Sequence, residues 1–275
     1  MSDRTRHDPD LEPLEAIYDA LDLGEAEEAL RLARAALAGG AEDDPVLHFL
    51  SGVALLELDE PDAAARALAR ACELDPDDAE SRAHLAEAQF RCCRFDDAER
   101  EARAAVRSDG GLPHGHWALA LCLERRGLFD EAEHEFSRAV RLAPDDFYPP
   151  VRFSKEEFER HLRAAIDALP ERFRKHLDDV TLTVDDLPSL SVLTADEPPL
   201  DPELLGLFVG VPRSEHSVFS PGGELPPRIL LFKRNLERAA QDEDELRDEI
   251  GVTVRHELAH YLGLEEDEIE QAGHA

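Results

Sequence analysis

Along the first half of the chain, small apolar residues recur at a fixed spacing and do not gather into long hydrophobic runs. Counted from Pro45, Gly52 falls eighth, Ala64 twentieth, Leu68 twenty-fourth, Ala71 twenty-seventh and Pro76 thirty-second. A step of 34 residues lands on Ala98, Ala102 and Ala105, and a second on Ala132, Phe136, Ala139 and Pro144. Intervals of three and four residues place these positions on one face of a helix. Short side chains on that face let neighbouring helices approach closely. The Asp/Pro pairs in the closing phrases ELDPDD and RLAPDD end each second helix and begin the next turn. A divergent earlier copy sets Ala29 and Ala36 in the corresponding slots, one residue further back. The period breaks at DFYPP, residues 146–150.

Beyond that break the pattern changes. A helix is predicted from Ser154 to Ala168, capped by Ser154 with Glu157 three residues on, its apolar stripe formed by Phe158, Leu162, Ala165, Ile166 and Leu169. Residues 180–184 (VTLTV) alternate and predict a strand. LLGLFVGV (204–211), ended by Pro212, predicts a more buried one, and RILLF (228–232) a third. A short helix is predicted over 234–240. A longer one starts near Asp242, where an acidic first turn suits the helix dipole, and runs to Gly263.

The offsets of the first half resemble the tetratricopeptide repeat, which stacks antiparallel helix pairs. The resemblance implies about four such units over residues 10–146 and a groove for a protein or peptide. Residues 151–275 form the second domain. The expected fold class is an all-α repeat array followed by a small α+β domain.

The late helix contains TVRHELAHYLGLEE. His256 and His260 are four residues apart, so both imidazoles leave one face, a turn apart. Two nitrogens so placed can share one Zn2+ at about 2.0–2.1 Å. Glu257 sits beside such a metal, placed to accept a proton from the water that the metal acidifies. Ile250, Val254, Leu258 and Leu262 are the packing positions. Gly263 can take the left-handed conformation that ends the helix and turns the chain back. Glu266 then arrives six residues after His260 as the leading candidate for third ligand, with Asp267 second and His274 third.

Residues 155–273 resemble the small bacterial zincin-like metallopeptidases. The resemblance runs through FERHLRAAIDALPERFRKHLDDVTLTVDD, GLFVGVPRSEHSVFSPGGELPPRILLFKRNLE and DELRDEIGVTVRHELAHYLGLEEDEIEQAG, in that order. It implies a zincin fold whose active-site helix carries HExxHxxGxxD, with His256 and His260 as metal ligands, Glu257 as general base and acid, and Gly263 as the turn glycine. Where the family motif ends in Asp, this chain has Glu266. RILLF resembles the edge strand along which zincins pair an extended substrate. GVPRSEHS would form the opposite wall, and its Arg213, Glu215 and His216 are candidates to orient a substrate or a ligand histidine. Tyr261 is expected to pack.

Charge narrows the partners. With 30 basic and 63 acidic residues the formal charge is -33, which repels nucleic acid and anionic lipid and favours metal ions and basic peptides. No apolar run long enough to span a membrane is present, and the first residues hold no secretory h-region. Cys72, Cys92, Cys93 and Cys122 lie in apolar helical stretches without ligand spacing and are expected to be reduced, buried thiols. The expected location is cytoplasmic. Only Lys155, Lys175 and Lys233 represent lysine, a composition typical of GC-rich bacteria. His114 and His116 flank a glycine near Cys122, but no carboxylate or second cysteine completes a metal-ligand spacing around them. The function expected is a Zn2+-dependent peptidase whose repeats recruit a protein or peptide. The alternative is an interaction scaffold with a vestigial zincin domain.

Overall fold

The computed structural model describes residues 11–213 and 226–264. The chain divides into two compact units, the first ending at Phe147 and the second beginning at Tyr148.

The described residues of the first unit form four helix pairs: α1 Leu11–Asp22 with α2 Ala26–Ala38, α3 Pro45–Glu57 with α4 Pro61–Leu74, α5 Ala79–Arg91 with α6 Phe95–Ser108, and α7 Pro113–Arg125 with α8 Phe129–Leu142. The periodic positions are the core. Ala64, Ala98 and Ala132, then Leu68, Ala102 and Phe136, then Ala71, Ala105 and Ala139 are all fully buried. The need for small residues is plain at Gly52, where an added Cβ would lie 2.4 Å from Leu68 Cγ. Short acidic caps start α3 and α5. Asp44 accepts from the backbone of Val46 and Leu47 ahead of Pro45, and Asp78 accepts from Glu80 and Ser81. Each pair closes on the same turn, in which a backbone N–H reaches back five residues: Glu25 to Ala20, Glu60 to Leu55, Arg94 to Gln89 and Leu128 to Leu123. The residue before each of these donors has positive φ, and it is Gly24, Asp59, Cys93 or Gly127.

In the second unit α9 (Lys155–Ala168) carries the predicted capping box. Ser154 Oγ accepts from the Glu157 N–H at 3.2 Å, and the Glu157 carboxylate accepts from the Ser154 N–H at 2.9 Å. Short helices α10 (Glu171–Arg174) and α11 (Leu190–Leu193) lie in connections for which the sequence pattern predicts no element. Among the described residues the sheet has three strands in the order β1-β3-β2: β1 Thr181–Asp185, β2 Gly206–Val209 and β3 Arg228–Phe232. β1 runs parallel to β3, and β2 antiparallel to it. Helix α12 (Lys233–Ala239) follows β3 directly, and α13 (Glu243–Leu262) packs against α9 and the sheet. Asp242 caps α13 through the N–H groups of Asp244 and Glu245. One core joins Phe158 and Leu162 of α9, Ile229 and Leu231 of β3, and Ile250, Val254 and Leu258 of α13.

Two strand expectations are reversed. RILLF is the central strand, bonded on both sides, with Ile229, Leu230, Leu231 and Phe232 all buried. Residues 206–209 form an edge, only partly buried at every position. The physical reason lies in the packing, since 204–211 is also an apolar run: β3 is bonded on both sides and sends Ile229 and Leu231 into the core with α9 and α13, whereas β2 is bonded on one side among the described residues.

Candidate functional site

The second unit's chemistry is laid out along α13, whose N-terminal half is acidic and whose C-terminal half holds the histidines. Ile250, Val254 and Leu258 fix the helix by facing the core, fully buried. Thr253, Glu257 and Tyr261 follow at four-residue steps on a neighbouring face and meet edge strand β2. Thr253 and Glu257 close on Gly206, and the Tyr261 ring lies 5.8 Å from that of Phe208. His256 and His260 stand beside this row. Their Nε2 atoms converge to 3.0 Å, with ring planes at 81°. Gly263 ends the helix in the left-handed region, at φ 76° and ψ 34°, and the Leu264 N–H returns to the Ala259 carbonyl at 3.1 Å. The turn that redirects the chain is therefore present.

Glu257 is buried, and its Oε2 accepts a 2.7 Å hydrogen bond from the Phe208 backbone N–H. Phe208 belongs to the residues of β2 whose backbone points away from β3, since Leu205 and its alternates point toward it through the Phe232 N–H. The carboxylate is thus held by the outer edge of the sheet. That edge is itself pinned from behind, where the buried Asn235 amide donates to the carbonyls of Pro202 and Leu204 at 2.9 and 2.7 Å.

Of the remaining candidate residues, Arg213 donates to His176 Nδ1 and pairs with Asp179 at 3.7 Å. Burial, then Arg213 and Lys175, push the His176 pKa down. Tyr261 packs as expected, and burial followed by Asp179 raises its phenol pKa. Glu215, His216, Glu266, Asp267 and His274 lie outside the described residues. The two α13 imidazoles thus stand together, Glu257 is turned to the edge strand beside them, and the residues expected to supply a third ligand, Glu266 and Asp267, lie outside the described residues.

A second cluster departs from the sequence expectation. A carboxylate does reach His114: Glu87 Oε2 of α5 lies 2.7 Å from His114 Nε2, and His84 stacks on the same imidazole. The i, i+3 spacing of His84 and Glu87 was the available signal. Their meeting with His114 depends on how α5 and α7 pack. His116 turns elsewhere, its ring nitrogens facing the Glu135 carboxylate and the Gly110 carbonyl.

Residues 177–274 match the family model of the zincin-like metallopeptidases, and residues 14–79 and 85–147 match that of the tetratricopeptide repeat. The chain carries a tetratricopeptide-repeat region and a zincin-like metallopeptidase-family domain. The zincin-like match begins after α9, although α9 contributes Phe158 and Leu162 to that domain's core. Several solved structures match about half of this chain. The crystal structure of MamA is 18% identical, with a TM-score of 0.41 over 46% of this chain and 73% of that one. YrrB, described as a TPR protein with an unusual peptide-binding site, is 22% identical, with a TM-score of 0.42 over 48% and 68%. TTC0263, a thermophilic TPR protein of Thermus thermophilus, is 20% identical, with a TM-score of 0.42 over 47% and 72%. Among curated proteins there is no significant match.

Proposed function

We propose that the zincin-like domain is a Zn2+-dependent peptidase and that the repeats recruit its protein or peptide substrate. One observation carries the reading: two imidazole nitrogens converge to 3.0 Å on one helix, and the intervening Glu257 carboxylate is held in place by the edge strand. The donor set suits zinc, because two ligands about 2.0–2.1 Å from a tetrahedral ion stand roughly 3.3 Å apart. His256 and His260 would hold the ion with a carboxylate from the chain after Gly263, Glu266 first and Asp267 second. When bound, Zn2+ supplies Lewis-acid polarisation of a carbonyl and acidifies water.

Glu257 performs the proton work, accepting a proton from the attacking water and delivering it to the leaving amine. Its bond from Phe208 fixes the carboxylate against the edge strand, next to the row that carries the histidines, and so limits the orientations it can take. An extended peptide has a pairing edge in β2, where Gly206 shares the outward-facing register with Phe208. Arg213, Glu215 and His216 are assigned to the approach of the substrate. The acidic surface favours a basic client segment, and the free cysteines fit a reducing, cytoplasmic setting. No helix among the described residues is long and apolar enough to cross a membrane.

The test is Glu257→Gln in the full chain, with zinc content and hydrolysis of unfolded basic peptides measured together. Retained zinc with a loss of about 10²–10⁴ in rate supports the assignment. Unchanged turnover overturns it. No zinc and no turnover in the native chain would leave an interaction scaffold with a vestigial domain.

A further inference from the structure

Helices α3, α5 and α7, the first of three successive repeats, lie side by side, and a polar cluster spans the face between the last two. His84 and Glu87 come from one face of α5, and His114 comes from the first turn of α7. One potential ligand atom from each of the three lies within 4.8 Å of the others, and all three residues are partly buried. The His84 and His114 rings are stacked, with centroids 4.3 Å apart and planes 12° apart. The surroundings are aromatic. Phe49 of α3 meets His84 edge-on at 5.2 Å, and Phe147 lies 6.4 Å from His114 and 5.0 Å from Trp117.

The protonation pattern suits ligation. His84 Nδ1 is 3.0 Å from the Glu80 carbonyl, which can only accept, so Nδ1 carries the proton and Nε2 offers a lone pair. The set offers two imidazoles and a carboxylate. Donors around a tetrahedral cation stand roughly 3.3 Å apart and imidazole lone pairs lie in the ring plane, so closing the cluster on an ion draws the three atoms together and turns the stacked rings out of parallel.

We propose that His84, Glu87 and His114 form a second Zn2+ site, within the repeats and separate from the α13 histidines. Two imidazoles and a carboxylate match the preference of zinc for nitrogen ligands with one hard oxygen, and three protein ligands leave a position for solvent or a partner's side chain. The site stands whether or not the zincin-like domain is a peptidase.

The experiment uses tag-free full-length chain, stripped with chelator and titrated with Zn2+ alone. Bound metal is read by elemental analysis and affinity by calorimetry. In the His256→Gln/His260→Gln background, one equivalent of Zn2+ should still bind. Adding His84→Gln and His114→Gln should weaken that binding at least a hundredfold, and Co2+ substitution should lose its visible bands in parallel. Glu87→Gln keeps the side-chain volume and should weaken binding by about 10–100-fold, which keeps the test valid if the histidine variants fold poorly. Absence of zinc from the His256→Gln/His260→Gln chain would overturn the proposal and leave an ordinary hydrogen-bonded trio. Zinc uptake that is indifferent to all three residues would also overturn it, since the metal would then sit on the acidic surface.

Discussion

A methyl group added at Gly206 would lie 2.7 Å from Thr253 Cγ2 and 3.0 Å from Glu257 Cγ. The close approach of β2 to α13, and with it the hydrogen bond from Phe208 to Glu257, depends on that missing side chain. Gly206→Ala should force strand and helix apart and cost about 1–3 kcal/mol, measured by urea denaturation. On the proposed function, zinc held by His256 and His260 should persist while peptidase activity falls, because the change breaks the bond from Phe208 to Glu257 and touches neither imidazole. The cysteines give a second prediction at this scale. Burial raises the Cys122 thiol to about 12, and burial followed by Asp62 raises Cys92 to about 11. A thiol raised in the folded state favours the protonated form there; its contribution to stability is present below the ordinary thiol pKa and is lost as pH rises through the folded value. At pH 8 the thiolate fraction of Cys122 is more than about a thousandfold below that of a free thiol. Native protein should therefore leave Cys122 unmodified by a disulfide reagent at pH 8, and urea should expose it, as mass spectrometry of the labelled chain would show.

Among the elements, α12 shows how one buried charge can fasten a segment far away in sequence. Glu237 is fully buried, yet it accepts from the Phe153 N–H at 2.9 Å, pairs with Arg152 at 3.1 Å and is bonded by Lys233 one turn earlier. Its own carbonyl accepts from the Val151 N–H at 2.9 Å. The chain leading into α9 is thereby tied to the helix that follows the central strand. Glu237→Ala would leave two cations and an amide without their acceptor and should cost about 3–5 kcal/mol in the urea-induced unfolding of the second unit. Glu237→Gln should cost less, because it keeps an acceptor for Phe153. The turns of the repeats follow a different logic. Gly24 and Gly127 take positive φ freely, whereas Asp59 and Cys93 hold the same conformation through the backbone bonds that close each pair.

Over the whole molecule, hydrophobic burial is divided between the two units. Phe136 lies fully buried among the alanines of the repeats, and Phe158 lies fully buried in the core shared by α9, the sheet and α13. Replacing either with alanine should cost about 3–5 kcal/mol, but in different transitions. The single tryptophan, Trp117, packs edge-to-face on Phe136 at 4.7 Å, so its fluorescence reports the repeat unit. Phe136→Ala should shift the fluorescence-monitored unfolding curve. Phe158→Ala should leave that curve in place and speed amide exchange in α9 and α13. A common shift of both signals by either variant would show that the units unfold together.

The sequence by itself determined whatever depends on local geometry. The 34-residue period set the paired helices of the repeats, because a repeated face of small residues can be buried only by stacking on its own copies. Ser154 with Glu157 marked the start of α9, and Gly263 marked the end of α13. The four-residue interval between His256 and His260 placed both rings on one side of a helix before any packing was known. The tertiary structure alone decided which residues from different elements meet. It put β3 in the centre of the sheet and β2 at its edge, gave Glu257 a backbone partner 49 positions away, and brought Glu87 to His114 from the neighbouring repeat. Strand order and helix contacts of this kind are fixed by the burial of the whole core, and no single window of sequence contains that information.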